Sequence, residues 1–247
     1  GPGRVVVISA GNDYGGNIHK TVDIAPNATQ NYTFTVASNT SAASIFSFLM
    51  YANDDSPVTA KLTAPDGQQY ISNITTTNTF NILGGGLTAA MYNYWSTDNN
   101  KRYVQLIVSR PSGTTNAQGT YTLEITNNGT QQITTHGWLY SQGVATTLTD
   151  GNNQYIVGSP GNASSAITVA SYMGRASWYT AAGGYYVLTP QESISSFSSE
   201  GPRVDGFQKP EITASGQNVI SVRSSNSAPG ATDIINGTTY YVKNQGT

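Results

Sequence analysis

Residues 4–12 read Arg4-Val5-Val6-Val7-Ile8-Ser9-Ala10-Gly11-Asn12, a continuous β-branched run closed by Gly-Asn. An unbroken apolar run of this length suits a strand buried on both faces, as in a parallel sheet, better than a half-exposed antiparallel strand. From Asp13 onward the texture changes. Between Ile18 and Ala145, short alternating strands are separated by turn signals: Tyr32 to Val36, Ile45 to Tyr51, Val58 to Leu62, Gln69 to Ile71, Tyr103 to Val108 and Thr120 to Ile125. Pro65-Asp66-Gly67 joins two of them, because Pro presets φ and Gly accepts a positive one. Period-2 patterning with regular turns predicts a sandwich or jelly roll. After Asp150 the pattern shifts again. Gly158-Ser159-Pro160-Gly161-Asn162-Ala163-Ser164-Ser165 is a turn feeding the run Ala166 to Ala170, and Pro210 to Gly216 leads into Val219 to Val222. The expected architecture is mainly β with an α/β part: a jelly-roll β-sandwich of residues 16–150 inserted into a parallel-sheet domain made of residues 1–15 and 151–247.

Composition supports a β-rich chain and removes several function classes. With 247 residues the chain exceeds the roughly 150 of an average domain, so one large core or two modest ones can form. Charged residues are only 10%, and the net charge is −2; gripping phosphates is excluded as the main business, so no nucleic-acid partner is expected. The surface must be built from Ser, Thr, Asn, Gln and Gly. Zero cysteines remove disulfides, thiolate nucleophiles, zinc–thiolate sites and iron–sulfur clusters together. No apolar run approaches the roughly 18 residues of a membrane helix. The start Gly1-Pro2-Gly3-Arg4 is neither a signal peptide nor an initiator methionine, so an excised piece is expected, with Gly1 left from a tag.

Five short motifs, in order, carry a family resemblance. They are Val5 to Asn12; Ser159-Pro160-Gly161-Asn162-Ala163 with Ala166 to Ala170; Ile194-Ser195-Ser196-Phe197-Ser198-Ser199-Glu200-Gly201-Pro202; Lys209 to Gly216; and Gly246-Thr247. Together they resemble the C-terminal half of a subtilisin-like serine protease catalytic domain, over about residues 4–14 and 155–247. The sequence departs from the family at Ser215, where a Pro normally precedes Gly. The resemblance implies that Asn12 donates its side-chain amide to the oxyanion of a tetrahedral intermediate, since a fixed NH₂ aimed at developing charge favours the transition state. It implies that Ser9, Ala10 and Gly11 line the primary specificity pocket. It places the nucleophile directly after Gly-Thr, and the Asp and His upstream of the oxyanion Asn. All three triad members are therefore expected outside these residues, which makes the piece inactive by itself and its parent a serine endopeptidase acting on protein or peptide substrates.

Other residues point less far. His19 and His136 are the only histidines; both follow Asn12, and neither matches the catalytic His. Asp54, Asp55 and Asp98 offer oxygens to calcium, but without dense Asp-x-Asp spacing they read as solvated loop acids. Subtilases often carry structural calcium; no ligand is assigned here, and no cofactor. Trp95, Trp138 and Trp178 read as packing residues before sugar-stacking ones. The resemblance further implies a secreted or cell-surface bacterial protein. Incomplete parallel strands expose edges through which two copies could dimerise. The alternative is a non-catalytic sandwich that binds carbohydrate or protein, or a pseudo-protease.

Overall fold

The computed structural model describes residues 3–72, 77–187, 192–236 and 240–246; the expected tag remnant Gly1 and the motif residue Thr247 lie outside them. Among the described residues the strands run, in chain order, β1 (Val7–Ser9), β2 (His19–Ile24), β3 (Thr29–Val36), β4 (Ser44–Ala52), β5 (Val58–Thr63), β6 (Gln69–Ser72), β7 (Thr77–Ile82), β8 (Leu87–Ser96), β9 (Lys101–Ser109), β10 (Gly119–Asn127), β11 (Ile133–Ser141), β12 (Thr146–Leu148), β13 (Ile167–Met173), β14 (Ser177–Tyr179), β15 (Tyr185–Val187), β16 (Ile212–Gln217), β17 (Val219–Val222) and β18 (Tyr241–Asn244). A single 3-10 turn, Leu83–Gly85, is the sole helical element among them. No helix of the described residues is long and apolar enough to cross a membrane. The chain forms two compact units, residues 17–152 and residues 1–16 with 153–247.

The 17–152 unit is a sandwich of two antiparallel sheets, ordered β12-β3-β10-β5-β6 and β2-β11-β4-β9-β8-β7. Alternation decides which residues face inward. In β4, Phe46, Phe48, Met50 and Ala52 are buried while Ser47, Leu49 and Tyr51 lie on the other face. Aromatic rings join the layers: Phe34 of β3 lies 5.2 Å from Phe46 and 4.8 Å from Phe48, and Tyr32 lies 4.8 Å from Phe48. Offset rings at such distances add to the apolar burial. At Gly137 of β11 any side chain is excluded, since a Cβ would sit 2.2 Å from Phe48 Cζ and 2.9 Å from Tyr32 Cε1. The Pro65-Asp66-Gly67 turn forms as the sequence predicts, with Gly67 at φ 80° and its N–H donating to Ala64 O.

On the outer face of the six-stranded sheet, cross-strand register aligns Tyr94, Tyr103, Tyr51 and His136 in one row. The row ends in a buried histidine pair. His19 Nε2 and His136 Nδ1 are 3.1 Å apart, and His19 Nδ1 lies 3.0 Å from Asn152 Oδ1. An amide oxygen only accepts, so Nδ1 of His19 carries the proton, and its Nε2 accepts from His136 Nδ1–H. Trp138 covers the pair, its ring 5.0 Å from that of His19. Trp178 in the other unit is buried, whereas Trp138 and Trp95 are half-buried. Asp54 Oδ1 closes a local turn by accepting Ser56 N–H at 2.8 Å.

The unit of residues 1–16 and 153–247 contains a three-stranded parallel sheet, β1-β13-β16, with Val7 opposite Ile167 and Val169 opposite Ile212. Two features differ from expectation. The run at 4–10 is parallel, yet it is not buried on both faces: Val5, Val6 and Val7 are 71%, 55% and 60% exposed. β1 is also an edge of this sheet, pairing on one side only. Nor is an α/β part evident. Parallel strands are commonly linked by helices, but here residues 17–152 separate β1 from β13, and the β14–β15 hairpin and loops lie between β13 and β16. Lys209, fully buried, fastens this sheet: its Nζ donates to Ala166 O at 2.6 Å and to Glu211 Oε1 at 2.5 Å, while Glu211 Oε2 accepts Thr168 N–H at 2.8 Å.

Candidate active site

The end of β1 is where the motifs converge. Ala10, fully buried, donates its N–H to Val169 O at 2.9 Å and accepts from Gly158 N at 2.9 Å. The chain is thereby held between β13 and the loop that opens with Gly158. It then turns sharply at Gly11, whose φ of 110° lies where side chains are rarely accepted and whose Cβ would stand 2.8 Å from Ser199 Oγ. This turn delivers Asn12, exposed, to the rim of a cleft of about 200 Å³ lined by Asn12, Phe197, Gln245 and Gly246. A Cβ built on Gly246 would lie 3.9 Å from Asn12 Nδ2, so the amide stands beside Gly246. Gly246 is itself anchored, its N–H donating to Gly216 O at 3.0 Å. Gly216 occupies the bulge where β16 shifts register against Tyr172 and Met173, and Ser215, the departure from the family pattern, pairs with Tyr172.

Of the residues read from sequence, Asn12 and Gly246 meet at this cleft. Ser9 is exposed on β1, while Ala10 is buried and Gly11 is half-buried. His19 and His136 belong to the sandwich unit and bond to each other. Among the described residues no three His, Asp or Glu groups gather as a metal site. Next to the turn, desolvation holds the Asp13 carboxyl above the ordinary carboxylate range.

Sequence reading gave no individual role to the serines of the Ile194 to Pro202 motif. Ser195, Ser198 and Ser199 are all buried. Ser195 N–H donates to Ser171 O at 2.9 Å, and the two hydroxyls are 2.7 Å apart. Ser198 Oγ accepts Ser171 N–H at 3.0 Å, Ser199 N–H donates to Gly11 O at 2.9 Å, and Ser199 Oγ accepts Asp13 N–H at 3.1 Å. The signal was in the sequence as Ser195-Ser196-Phe197-Ser198-Ser199: small hydroxyl residues, each able to bond backbone groups, flanking one aromatic.

The site thus consists of an asparagine amide at the C-terminal end of a parallel strand, beside Gly246. The chain belongs to the Subtilase family, whose model matches residues 1–247. A search of the curated proteins returned no match. Among solved structures the fold is similar to that of the Clostridium perfringens CspB protease, with a TM-score of 0.67 and 15% sequence identity. The match covers 98% of this chain and 44% of that one, so the chain spans less than half of the protein it resembles.

Proposed function

We propose that these residues form the oxyanion side of a serine endopeptidase, with Asn12 as the donor that stabilises the tetrahedral intermediate. The observation that carries this is the placement of Asn12 with Gly246 on one cleft at the end of β1. As the peptide carbonyl becomes tetrahedral its oxygen gains charge, and an amide already fixed by the fold stabilises that charge without reorganising. Ser9, Ala10 and Gly11 form the strand wall of the pocket for the residue preceding the cut; their small side chains leave room for it. The nucleophilic Ser follows Gly246-Thr247, and the His base with its orienting Asp comes from chain upstream of Asn12, so these 247 residues are silent alone. The mutual bonding of His19 and His136 supports this, since it commits the histidines of the sequence to a structural pair.

The substrate is protein or peptide, and the parent acts outside a bacterial cell or at its surface. The insert is jelly-roll-like, because successive strands β3, β4 and β5 alternate between sheets while β3 neighbours the late strand β10 and β4 the late strands β9 and β11. Two copies of the isolated piece pair through the exposed edges at Val5 to Val7 and Ile212. The test is hydrolysis of casein and chromogenic peptides by a polypeptide extended in both directions to supply Ser, His and Asp. Its Asn12→Ala variant should lose about 10²–10³ in kcat with little change in KM, the magnitude borrowed from loss of an oxyanion-hole asparagine in a subtilisin. An undiminished kcat in that variant refutes the assignment.

A further inference from the structure

We propose that Ser199 is a positioning residue for Asn12, clamping the backbone on both sides of it so that its amide keeps a fixed direction; this rests on the reading of Asn12 as oxyanion donor. A side-chain amide contributes to a transition state only if its own backbone is immobile, and a small displacement of a catalytic group is costly in rate. Asn12 is at risk in this respect. It is exposed and follows a glycine, the residue with the most backbone freedom,.

Ser199 removes that freedom with two bonds from one buried residue. Its N–H donates to Gly11 O at 2.9 Å, just before Asn12, and its Oγ accepts Asp13 N–H at 3.1 Å, just after. A third fastening follows one residue on, where Tyr14 N–H donates to Phe197 O at 3.2 Å. The clamp needs its own anchor, and the same segment supplies it: Ser195 and Ser198 bond the backbone and hydroxyl of Ser171 in β13. The segment from Ser195 to Ser199 is therefore a strap from the middle strand of the parallel sheet to the turn that carries Asn12. Serine suits the position on two counts. Its hydroxyl is an acceptor at the right reach, and the residue is small enough to lie against Gly11, whose missing Cβ would otherwise stand 2.8 Å from that hydroxyl.

Ser199→Ala keeps the backbone bond to Gly11 and removes only the bond to Asp13, so it tests the clamp without emptying the site. In the 247-residue chain, ¹⁵N NMR should show the Asp13 amide exchanging roughly tenfold faster and the Asn12 side-chain NH₂ with a lower order parameter; Ser199→Thr should restore both. In the polypeptide that supplies the triad, Ser199→Ala should lower kcat by roughly 10- to 10²-fold at constant KM, and should cost nothing further in an Asn12→Ala background, because the two act as one unit. Unchanged Asp13 exchange and Asn12 order in Ser199→Ala overturn the clamp, and so do losses that multiply in the double variant. If Asn12→Ala leaves kcat intact, the oxyanion reading falls while the NMR result still judges the clamp.

Discussion

Acidification should unfold the sandwich unit through its histidine pair. His136 is 7% exposed, and its pKa is lowered from 6.5 to about 4, first by burial and then by the nearby His19 and Lys101, with Asp23 opposing. Burial also lowers His19, opposed by its hydrogen bond to Asn152. The neutral pair needs one proton between His19 Nε2 and His136 Nδ1; protonating both rings sets two N–H groups head to head across 3.1 Å. A depressed histidine pKa means that the unfolded chain binds more protons than the folded one, so stability is complete above pH 6.5 and falls as pH drops toward 4. From His136 alone the loss is about 2 kcal/mol between pH 7 and pH 5, growing to about 3 kcal/mol at pH 4. Urea unfolding followed by tryptophan fluorescence reads this directly, since Trp138 lies 6.1 Å from His136. His136→Gln should flatten the dependence between pH 7 and pH 5, where carboxylates contribute little. Equal stability at pH 7 and pH 5 in the unsubstituted chain, or the same slope in His136→Gln, would refute the reasoning.

Two further substitutions probe packing. Gly137→Ala forces a methyl within 2.2 Å of Phe48 Cζ; overpacking of this kind should destabilise the sandwich unit by about 2–3 kcal/mol in a denaturant titration, and Phe48→Leu in the same background should recover part of the loss. In the parallel-sheet unit, Glu211→Ala removes the carboxylate partner of the fully buried Lys209 ammonium, leaving it the bond to Ala166 O, and removes the acceptor of the Thr168 N–H. It should lower the urea midpoint of this unit, whereas Lys209→Met with Glu211→Gln should lower it clearly less, and equal losses would argue against a desolvated charge as the cause.

The sandwich was legible because its signal is local. Alternation in Ile45 to Tyr51 and in Tyr103 to Val108 reports which side of a strand faces a core, and those strands form as read, extended by a few residues. The hairpin of β7 and β8 escaped notice because Ala89 and Ala90 carry little strand preference, although Leu83-Gly84-Gly85-Gly86 marks its turn. The Val5 to Val7 run was misjudged for a different reason: an apolar run shows that a strand is suited to burial, not that a second layer covers it. At the candidate site, Asn12 is singled out only through the company of the other motifs. Ser199 could not be given a role from sequence, since its partners Gly11 and Asp13 lie 186 or more positions away, and the pairing of His19 with His136 spans 117.

The sandwich unit fastens its own two ends together. His19 and Asn152 exchange backbone bonds in both directions, at 3.2 and 2.7 Å. Before the sandwich folds, bringing Val7 beside Ile167 means closing a loop that contains the whole insert; afterwards the same closure spans only the short stretches outside it. Because closure entropy grows with the logarithm of loop length, the difference is on the order of 2 kcal/mol. The two pairings are therefore coupled: joining β1 to β13 costs less chain entropy once His19 and Asn152 hold the ends of the 17–152 unit together.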